Sequence, residues 1–289
     1  MTSVTEPRIA VARRRWRPAP FIKLSAWWHA AGAVTLIAIP AWWPWVLGAL
    51  AANHAVLSAA VLWPRGRLLG SNVTRLPAAA AARGEICLTF DDGPDPQITP
   101  QVLDMLDRYG AKASFFCIGE KAAAFPEVVR AIVRRGHSVE NHTFRHPLMF
   151  AFFGMAALRR ELLSAQAALA GVSGRAPAYF RAPAGFRSPL LDPVLAAVGL
   201  DYVSWTRRGY DAVQRDPAAV LHRLTRGLAA GDVLVLHDGT RARTAEGVPL
   251  VLAVLPALLE QLHARGLTCV TLPTALNPAA RLQLSANGA

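Results

Sequence analysis

One pattern recurs five times along the chain and limits what it can fold into. Each copy is an amphipathic segment of helical period, then a glycine, then a short apolar run. The junction glycines are Gly110, Gly136, Gly199, Gly231 and Gly266. Glycine past a helix takes the left-handed conformation that ends it, and near-continuous apolar runs are typical of parallel strands covered on both faces. This predicts an α/β fold, a distorted or incomplete (β/α) barrel of about seven strands, with an open sheet as the alternative.

Three dipeptides predict where helices of this barrel begin. They are Thr99-Pro100, Asp192-Pro193 and Asp216-Pro217. In each, a polar side chain can accept hydrogen bonds from the free N–H groups of the first turn. Proline suits the first helical position because it has no N–H of its own.

No lysine, arginine, aspartate or glutamate occurs from Leu24 to Pro64. As helix, these residues are about 60 Å long, enough to cross a hydrocarbon core of about 30 Å twice. Pro40 and Pro44, with tryptophans around them, indicate a turn at a membrane interface. We therefore predict an N-terminal hydrophobic helical hairpin with spans at about 25–41 and 46–63. A hairpin buried against the body is the alternative, and a cleavable signal peptide fits poorly because the apolar stretch is long and begins late.

Basic residues flank this stretch on both sides. Residues 1–83 carry ten Lys and Arg and one acidic residue, whereas residues 84–289 carry 21 Lys and Arg and 18 acidic residues. Because cytoplasmic flanks are enriched in Lys and Arg, we expect a multi-pass protein of the inner (cytoplasmic) membrane with its body in the cytoplasm. One span with the body outside is the alternative. The basic excess lies outside the body, so we expect a membrane partner and no nucleic acid.

Three cysteines lie in apolar runs, at Cys87, Cys117 and Cys269. An odd number without C-x-x-C spacing argues against a disulfide framework or a thiolate zinc site. We expect free, buried cysteines in a reducing compartment. The predicted organisation is a basic segment, two transmembrane helices, a linker, the body domain and a tail, with bounds 1–23, 24–64, 65–84, 85–275 and 276–289.

Polar side chains interrupt the apolar strands at their C-terminal ends. These residues are Asp91, Asp92, His142, His146, Arg181, Asp211 and His237. In a barrel of parallel strands the carboxyl ends form one mouth, where active sites are built. Five separate segments would therefore direct titratable groups to one place.

Asp92, His142 and His146 form a set of two imidazoles and one carboxylate, which leaves positions of a divalent metal open to water and substrate. The i, i+4 spacing puts both histidines on one side if the segment is helical, although this spacing alone is weak evidence. The adjacent Asp91 strengthens the metal-site interpretation, because neighbouring carboxylates repel unless a cation or a base role separates them. A simple turn explains the Gly-Pro that follows but not two successive acids.

These residues lie in segments that resemble the polysaccharide deacetylases, the NodB-homology family also called carbohydrate esterase family 4. Five segments carry the resemblance, in the family's order and approximate spacing, and cover the body from about residue 85 to 272. They are Thr89–Pro94 (TFDDGP), His142–His146 (HTFRH), Arg181–Gly185 (RAPAG), Trp205–Asp211 and Leu234–His237 (LVLH). The fourth is degraded, because Arg208 stands where an acid is expected and Ala212 stands where tryptophan is usual.

The resemblance implies an enzyme, a hydrolase of carbon–nitrogen bonds in linear amides that removes an N-acyl, chiefly acetyl, group from an amino sugar. It implies that Asp92, His142 and His146 hold a divalent metal, commonly Zn²⁺, with Co²⁺ or another divalent ion as alternatives. The metal would activate water and polarise the acyl carbonyl. Asp91 would be the general base that takes the proton of the water.

The resemblance also implies how these acids and bases are supported. Arg181 would pair with Asp91 and orient it. His237 would be the general acid that protonates the leaving amine, and Asp211 would hold that histidine as a cation.

The resemblance implies that two residues take part in substrate binding, and Trp205 is a third candidate. Leu236 would help to form the pocket for the acyl methyl. A backbone N–H near Ala184, where the family usually has tyrosine, would help to stabilise the oxyanion. Trp205 either stacks on a sugar or forms part of the barrel wall.

Several substrates and one non-catalytic role remain open. The hairpin favours a lipid-linked amino sugar reached from the cytoplasmic face, and the main alternative is a polymeric glycan outside the cytoplasm. A deformylase of a lipid-linked formamido sugar would share the mechanism. A pseudo-enzyme that only binds a glycolipid is motivated by the degraded fourth segment. Arg207, Arg208 and Arg241 are either solvated charges or contacts for phosphates of a lipid-linked sugar.

Overall fold

The structure is a computed structural model that describes residues 14–277 of the 289-residue chain. Its α-helices in that range are α1 (Pro20–Ala38), α2 (Trp43–Val61), α3 (Ala78–Ala82), α4 (Thr99–Arg108), α5 (Gly119–Ala124), α6 (Pro126–Arg134), α7 (Met155–Ser173), α8 (Leu191–Val198), α9 (Pro217–Thr225), α10 (Leu250–Ala264) and α11 (Leu272–Leu276). Its strands are β1 (Glu85–Asp91), β2 (Ala113–Cys117), β3 (Ser138–Asn141), β4 (Tyr179–Phe180), β5 (Asp201–Tyr202), β6 (Arg207–Arg208), β7 (Val233–His237) and β8 (Thr268–Cys269). Most of the predicted tail, from residue 278 onwards, lies outside the described residues.

The strands form one parallel sheet in the order β5-β4-β3-β2-β1-β7-β6, and β8 pairs with the start of β1. The sheet is curled into a half-barrel surrounded by helices, which confirms the predicted incomplete (β/α) barrel. Asp91 at the end of β1 lies opposite His237 at the end of β7. Cys117 at the end of β2 lies opposite Asn141 at the end of β3. The carboxyl ends of the central strands are therefore level with one another and form one mouth.

The side chains of β1 alternate between two cores. Leu88 and Phe90 pack with Leu234 in the large core beneath the helices. Cys87 packs with Val233 in a smaller core inside the half-barrel. Both faces of the strand are buried, which explains why its sequence is almost continuously apolar. The three cysteines are free and buried, as predicted.

At one of the three predicted helix starts, the predicted side chain caps the helix. Asp216 precedes α9 and accepts a hydrogen bond from a first-turn N–H, which confirms that prediction. Thr99 and Asp192 lie inside the first turns of α4 and α8, so their predicted capping roles are wrong. Tertiary contacts take precedence, because the Thr99 hydroxyl donates to Asp238 at 2.5 Å and Asp192 accepts from the Trp16 indole at 3.0 Å.

The half-barrel is open between β5 and β6, and residues 72–76 lie across this gap. Val73 forms a parallel bridge with Val203. Arg75 forms an antiparallel bridge with Asp232, and its guanidinium lies 2.5 Å from the carboxylate of that residue. This stretch falls in the predicted linker, and it contributes to the wall of the half-barrel.

The hairpin of α1 and α2 has an apolar surface that is largely exposed. Both helices are long and apolar enough to cross a membrane, and 6% and 11% of their most apolar windows are buried. Trp27, Ile37 and Trp45 are 75%, 84% and 78% exposed. A helix that served as the core of a soluble domain would be mostly buried. This exposure contradicts the alternative of a hairpin buried against the body.

The two helices begin before the predicted starts at about residues 25 and 46. Pro20 is the first residue of α1, and Pro44 lies in the first turn of α2. Proline fits these positions because its missing N–H would be unpaired there in any case. The turn between the helices is the short 3-10 segment Pro40–Trp42, as the proline and tryptophan pattern predicted.

Candidate active site

The strand ends bring the predicted site residues into contact. Asp91 ends β1, and His237 lies opposite it at the end of β7. His142 follows β3 directly, and Arg181 follows β4 directly. The contacts below connect these four residues with Asp92, His146 and Asp211, so all seven predicted strand-end residues lie in one mouth.

Asp92, His142 and His146 place three possible metal ligands together. Oδ1 of Asp92 lies 3.3 Å from Nε2 of His142 and 3.2 Å from Nε2 of His146. The ligand atoms of the three residues all lie within 4.8 Å of one another. Tetrahedral zinc with bonds of about 2.0–2.1 Å keeps its ligand atoms about 3.3 Å apart. The donor types and their spacing therefore fit a divalent metal.

The orientation of His142 also fits a ligand. Its Nδ1 lies 2.8 Å from the carbonyl oxygen of Arg181, which can only accept, so Nδ1 carries the proton and Nε2 is free to ligate. Such a bond on the far side of the ring orients the ligand and raises its basicity. His146 lies in a loop with φ of 54°. The helical premise of the H-x-x-x-H prediction is therefore wrong, although the two rings still converge.

The protonation of this cluster suits metal binding. Burial alone would raise the pKa of Asp92, but its hydrogen bond to His142 and the charges of the surrounding imidazoles hold that pKa well below its usual range. Burial, with a further contribution from His142, lowers the pKa of His146 to about 4. An ionised carboxylate and a neutral imidazole are the forms that ligate a metal.

The second carboxylate of the pair, Asp91, is buried and held by Arg181. Nη1 of Arg181 lies 2.6 Å from Oδ1 of Asp91 and 2.8 Å from the hydroxyl of Thr89. The same guanidinium donates to the carbonyl oxygen of Ser204 at 2.8 Å. The fork of N–H groups fixes the position of Asp91.

His237 forms a second acid–base pair with Asp211. Nδ1 of His237 lies 2.9 Å from Oδ1 of Asp211, and the backbone N–H of His237 donates to Oδ2 at 2.7 Å. Burial would lower the pKa of His237, but the charge and hydrogen bond of Asp211 outweigh burial and raise this pKa to about 9. His237 is therefore a cation at neutral pH, with Nδ1 bound to Asp211 and Nε2 free.

Two of the residues predicted to contact substrate lie beside this mouth. Ala184 lies in the 3-10 turn after β4, with a left-handed φ of 56°. Trp205 is 7% exposed. Its ring lies 5.8 Å from the guanidinium of Arg181 and 5.0 Å from that of Arg208. This burial between two cations favours the barrel-wall interpretation of Trp205 over a sugar-stacking platform.

The predicted role of Leu236 is wrong, because neighbouring residues of a strand project to opposite faces. Leu236 pairs with Phe90 and packs in the core beneath the helices. Val235 pairs with Thr89 and faces the inside of the half-barrel, as His237 does. Val235 is therefore the residue of this strand that can border an acyl group in the mouth.

Residues that support the backbone of Asp92 were not among those predicted from the sequence. Nζ of Lys121 donates to the carbonyl oxygens of Asp92 at 2.7 Å and Gly239 at 3.4 Å. Asp238 is buried and accepts from Thr99, and burial raises the pKa of Asp238 to about 7. The sequence contained a signal for these residues, because Asp238 and Gly239 directly follow β7, just as the predicted site residues follow the ends of their strands.

Left-handed backbone conformations concentrate in these segments. Within residues 14–277, the non-glycine residues with positive φ are Asp92, Thr143, His146, Ala184 and Tyr210. All of them fall in the first four segments on which the family resemblance is based. Such conformations are costly and persist where the surrounding contacts impose them, which is common at functional sites.

The fold and the mouth together define a class, a hydrolase built on an incomplete (β/α) barrel. Comparison with known proteins is more specific. Residues 79–203 match the family model of polysaccharide deacetylase. The chain is 33% identical over 204 residues to the chitooligosaccharide deacetylase of Sinorhizobium fredii, with 68% of this chain and 94% of that protein covered.

A second relative and a solved structure agree. The peptidoglycan-N-acetylglucosamine deacetylase of Bacillus cereus is 30% identical over 192 residues, with 66% of this chain and 68% of that protein covered. A crystal structure of a peptidoglycan N-acetylglucosamine deacetylase superposes with a TM-score of 0.63 at 27% identity, covering 71% of this chain and 92% of that chain. The chain belongs to the polysaccharide deacetylase family, amide hydrolases that act on N-acetyl groups.

The contact between Gly239 and Asp92 predicts the effect of Gly239→Ala on metal binding. A Cβ at residue 239 would lie 2.0 Å from the carbonyl oxygen of Asp92, so the Asp92 backbone would have to move. We expect the affinity for Zn²⁺ to fall about 10- to 100-fold, as is usual when the support of a ligand is altered. Isothermal titration of metal-free protein measures this. Gly171→Ala in α7, where a Cβ meets nothing within 4 Å, is the control, and equal affinities in both variants would contradict the support role.

The raised pKa of His237 predicts how Asp211→Asn changes the pH–rate profile. His237 is protonated below about pH 9 and loses its proton as the pH rises through that value. Without the carboxylate, burial dominates and lowers the pKa, so the alkaline limb of kcat/KM should move down by at least about one unit. A bound dication lowers the pKa in both proteins, so their difference is the quantity to measure. Asp104→Asn, on the exposed face of α4, should not move the limb, and an unmoved limb in Asp211→Asn would remove His237 as the acid.

Proposed function

We propose that this protein is a metal-dependent N-deacetylase of an amino sugar in a membrane-associated glycan. The observation that carries the proposal is the cluster of Asp92, His142 and His146, whose spacing fits a divalent metal. It adjoins a buried Asp91 and a cationic His237, so a base and an acid lie beside the same three ligands. This is the arrangement that hydrolysis of an amide requires.

Asp91 serves as the general base. Its carboxylate accepts the proton of the attacking water, and the ion pair with Arg181 keeps it oriented for that transfer. Arg181 is fully buried, and its Nε and Nη2 donate to carbonyl oxygens, so the pair holds one geometry. A base held in this way loses little free energy to reorientation during the reaction.

His237 serves as the general acid. Nε2 donates its proton to the leaving amine nitrogen, while Asp211 stabilises the cation before the transfer. An amide nitrogen is a poor leaving group until it is protonated, so this step matters as much as the attack of water. Removal of a positioned acid of this kind typically slows a reaction by about 10²- to 10⁴-fold.

Asp92, His142 and His146 would hold the metal, Zn²⁺ or Co²⁺ among divalent ions. When bound, it supplies Lewis acidity that activates water and polarises the acyl carbonyl. A backbone N–H near Ala184 would assist at the developing oxyanion. Val235 would border the acyl methyl, in place of the residue that the sequence indicated.

The hairpin supports a substrate at the membrane. Its exposed tryptophans and aliphatic side chains suit lipid contact, and its length suits two spans of the inner membrane. A lipid-linked N-acetylated amino sugar, reached from the cytoplasmic face, would then lie within range of the mouth. The basic flanks on both sides of the hairpin support a cytoplasmic body.

A polymeric glycan is the second candidate substrate. Two of the relatives are a chitooligosaccharide deacetylase and a peptidoglycan-N-acetylglucosamine deacetylase, and both names indicate N-acetylated glycans. In that case the hairpin would only tether the enzyme, and the body would face outward.

A substrate panel tests the proposal. Full-length protein would be incubated with chitooligosaccharides, peptidoglycan fragments and polyprenyl-phosphate N-acetylglucosamine, with Zn²⁺ or with a chelator. We expect amine release from the lipid-linked sugar, loss of release with the chelator, and a fall in kcat of about 10²–10⁴ in His237→Asn. Asp92→Asn should abolish metal-dependent turnover, whereas Asp104→Asn should retain it.

The alternative outcomes of this panel are equally specific. Release from free oligomers at an equal or higher rate would support the polymer substrate. Faster release of formate from a formamido sugar would identify a deformylase. No release from any substrate by metal-loaded wild-type protein would contradict the enzymatic proposal and leave glycolipid binding as the function.

Reporter fusions test the orientation of the body. A reporter joined to the C-terminus should be active in its cytoplasmic form and inactive in its periplasmic form, because both flanks of the hairpin are basic. The same reporter joined at the Pro40–Trp42 turn should show the opposite pattern. Periplasmic activity of the C-terminal fusion would contradict the cytoplasmic orientation and favour the polymeric glycan.

A further inference from the structure

A cavity of about 350 Å³ lies between the end of the hairpin and the edge of the half-barrel. Trp63 and Arg65 line it from the segment after α2. The edge strand β6 and the residues beside it contribute Arg208 and Tyr210, and α9 contributes Arg223. The proposed metal ligands, Asp91 and His237 are not among its lining residues, and the cavity adjoins the catalytic mouth through Trp205.

The cavity holds more positive charge than the protein neutralises. Among residues 14–277, no carboxylate lies within ion-pair distance of Arg65, Arg208 or Arg223. Nε of Arg208 is buried and has no hydrogen-bond partner among the described atoms. Arg207 differs, because its guanidinium binds the Asp232 carboxylate and backbone carbonyls. A buried N–H without a partner is costly, and an anion in the cavity would satisfy it.

Aromatic rings fix the guanidinium groups in place. Arg208 lies between Trp205 and Tyr210, 5.0 Å from the centre of each ring. Arg223 lies 5.7 Å from the Tyr210 ring. Nη1 of Arg65 donates to the carbonyl oxygen of Thr206 at 3.2 Å. A stacked guanidinium keeps its N–H edge free for two parallel bonds to a phosphate, and little side-chain entropy is lost on binding.

The position of the cavity indicates where its anion comes from. The backbone N–H of Arg187 donates to the carbonyl oxygen of Val61 at 3.3 Å, which fixes the end of α2 against the half-barrel. Gly185 lies between Pro64 and Trp205, where a Cβ would be 2.8 and 2.5 Å from their side chains. The charge-free helix therefore ends at the rim of the cavity. If α2 crosses a membrane of about 30 Å, the cavity lies at the level of the headgroups.

We propose that this cavity binds the phosphate ester of a membrane lipid, with Arg208 and Arg223 as the principal contacts and Arg65 at its rim. Its volume accommodates a phosphate with part of the attached glycerol or sugar. Trp63 is 59% exposed beside it, as expected of an aromatic residue at a membrane interface. The assignment of the phosphate to a membrane lipid rests on the proposed membrane hairpin. The anion site itself does not depend on the proposed deacetylation.

Titration calorimetry tests this site without any turnover. Full-length protein in an uncharged detergent would be titrated with dihexanoyl phosphatidylglycerol, geranyl phosphate, inorganic phosphate and, as a zwitterionic control, dihexanoyl phosphatidylcholine. We expect saturable binding of a phosphate ester that weakens as salt is added. Arg208→Gln should weaken binding about tenfold, and Arg208→Gln with Arg223→Gln about a hundredfold.

Two further variants separate a specific site from general charge. Arg130→Gln removes an exposed arginine of α6, which packs beside β3 rather than beside β6, and should leave binding unchanged. Arg208→Lys keeps the charge but loses the planar fork, so we expect an intermediate affinity. Thermal melting of each variant confirms that it is folded.

Each outcome either supports or contradicts the proposal. Tighter binding of phosphatidylglycerol identifies a bulk lipid headgroup, and tighter binding of geranyl phosphate identifies a prenyl carrier. Equal binding of inorganic phosphate supports the anion site but contradicts a lipid source. No saturable binding of any phosphate, or equal binding by wild type and the double glutamine variant, overturns the site. Binding without deacetylation would contradict only the proposed function, so the two failures are distinguishable.

Discussion

The mouth depends on one buried guanidinium. Arg181 is fully buried, and it bonds Asp91 at the end of β1 together with the carbonyl oxygens of Val203 and Ser204 after β5. Its Cζ also lies 4.1 Å from the ring centre of Phe116 on β2. A single side chain thus joins the centre of the sheet to its open edge. Removal of one member of such a buried pair costs about 3–5 kcal/mol, because the other charge is left without compensation. The contact that orients the base therefore also holds the half-barrel in shape.

The loop that carries His142 and His146 shows why the local sequence did not predict its backbone conformation. The backbone N–H groups of residues 143–146 donate to side chains rather than to helical carbonyls. Asn141 accepts from Thr143 at 2.9 Å, the hydroxyl of Thr143 accepts from His146 at 2.9 Å, and Glu161 of α7 accepts from the two N–H groups between them at 3.0 Å. These bonds impose left-handed conformations that a helix would exclude. They bring both imidazoles close to the Asp92 carboxylate by means of a loop, whereas the i, i+4 spacing indicated a helix.

The sequence predicted the order of strands and helices and the content of the mouth, because glycines end helices and parallel strands end at one edge. It missed β6, since two arginines carry no apolar pattern and their strand is defined only by pairing with β7. It misassigned Thr99 and Asp192, whose partners lie 139 and 176 residues away in the chain. The error at Leu236 was avoidable, because the alternation of a strand places that residue on the face opposite His237. Long-range partners require the folded structure, whereas alternation does not.

The stretch that crosses the open edge of the half-barrel, residues 72–76, has a consequence for how far the enzyme can reach. A flexible tether would let the mouth sample a range of heights above a bilayer. Here the chain leaves α2, bonds to Arg187, and enters the barrel wall through Val73 and Arg75 within about a dozen residues. In the proposed membrane arrangement the mouth is therefore fixed in height and tilt relative to the lipid. Such an enzyme selects its substrate by the distance of the scissile amide from the bilayer. A glycan one sugar longer or shorter would place a different sugar unit at the mouth.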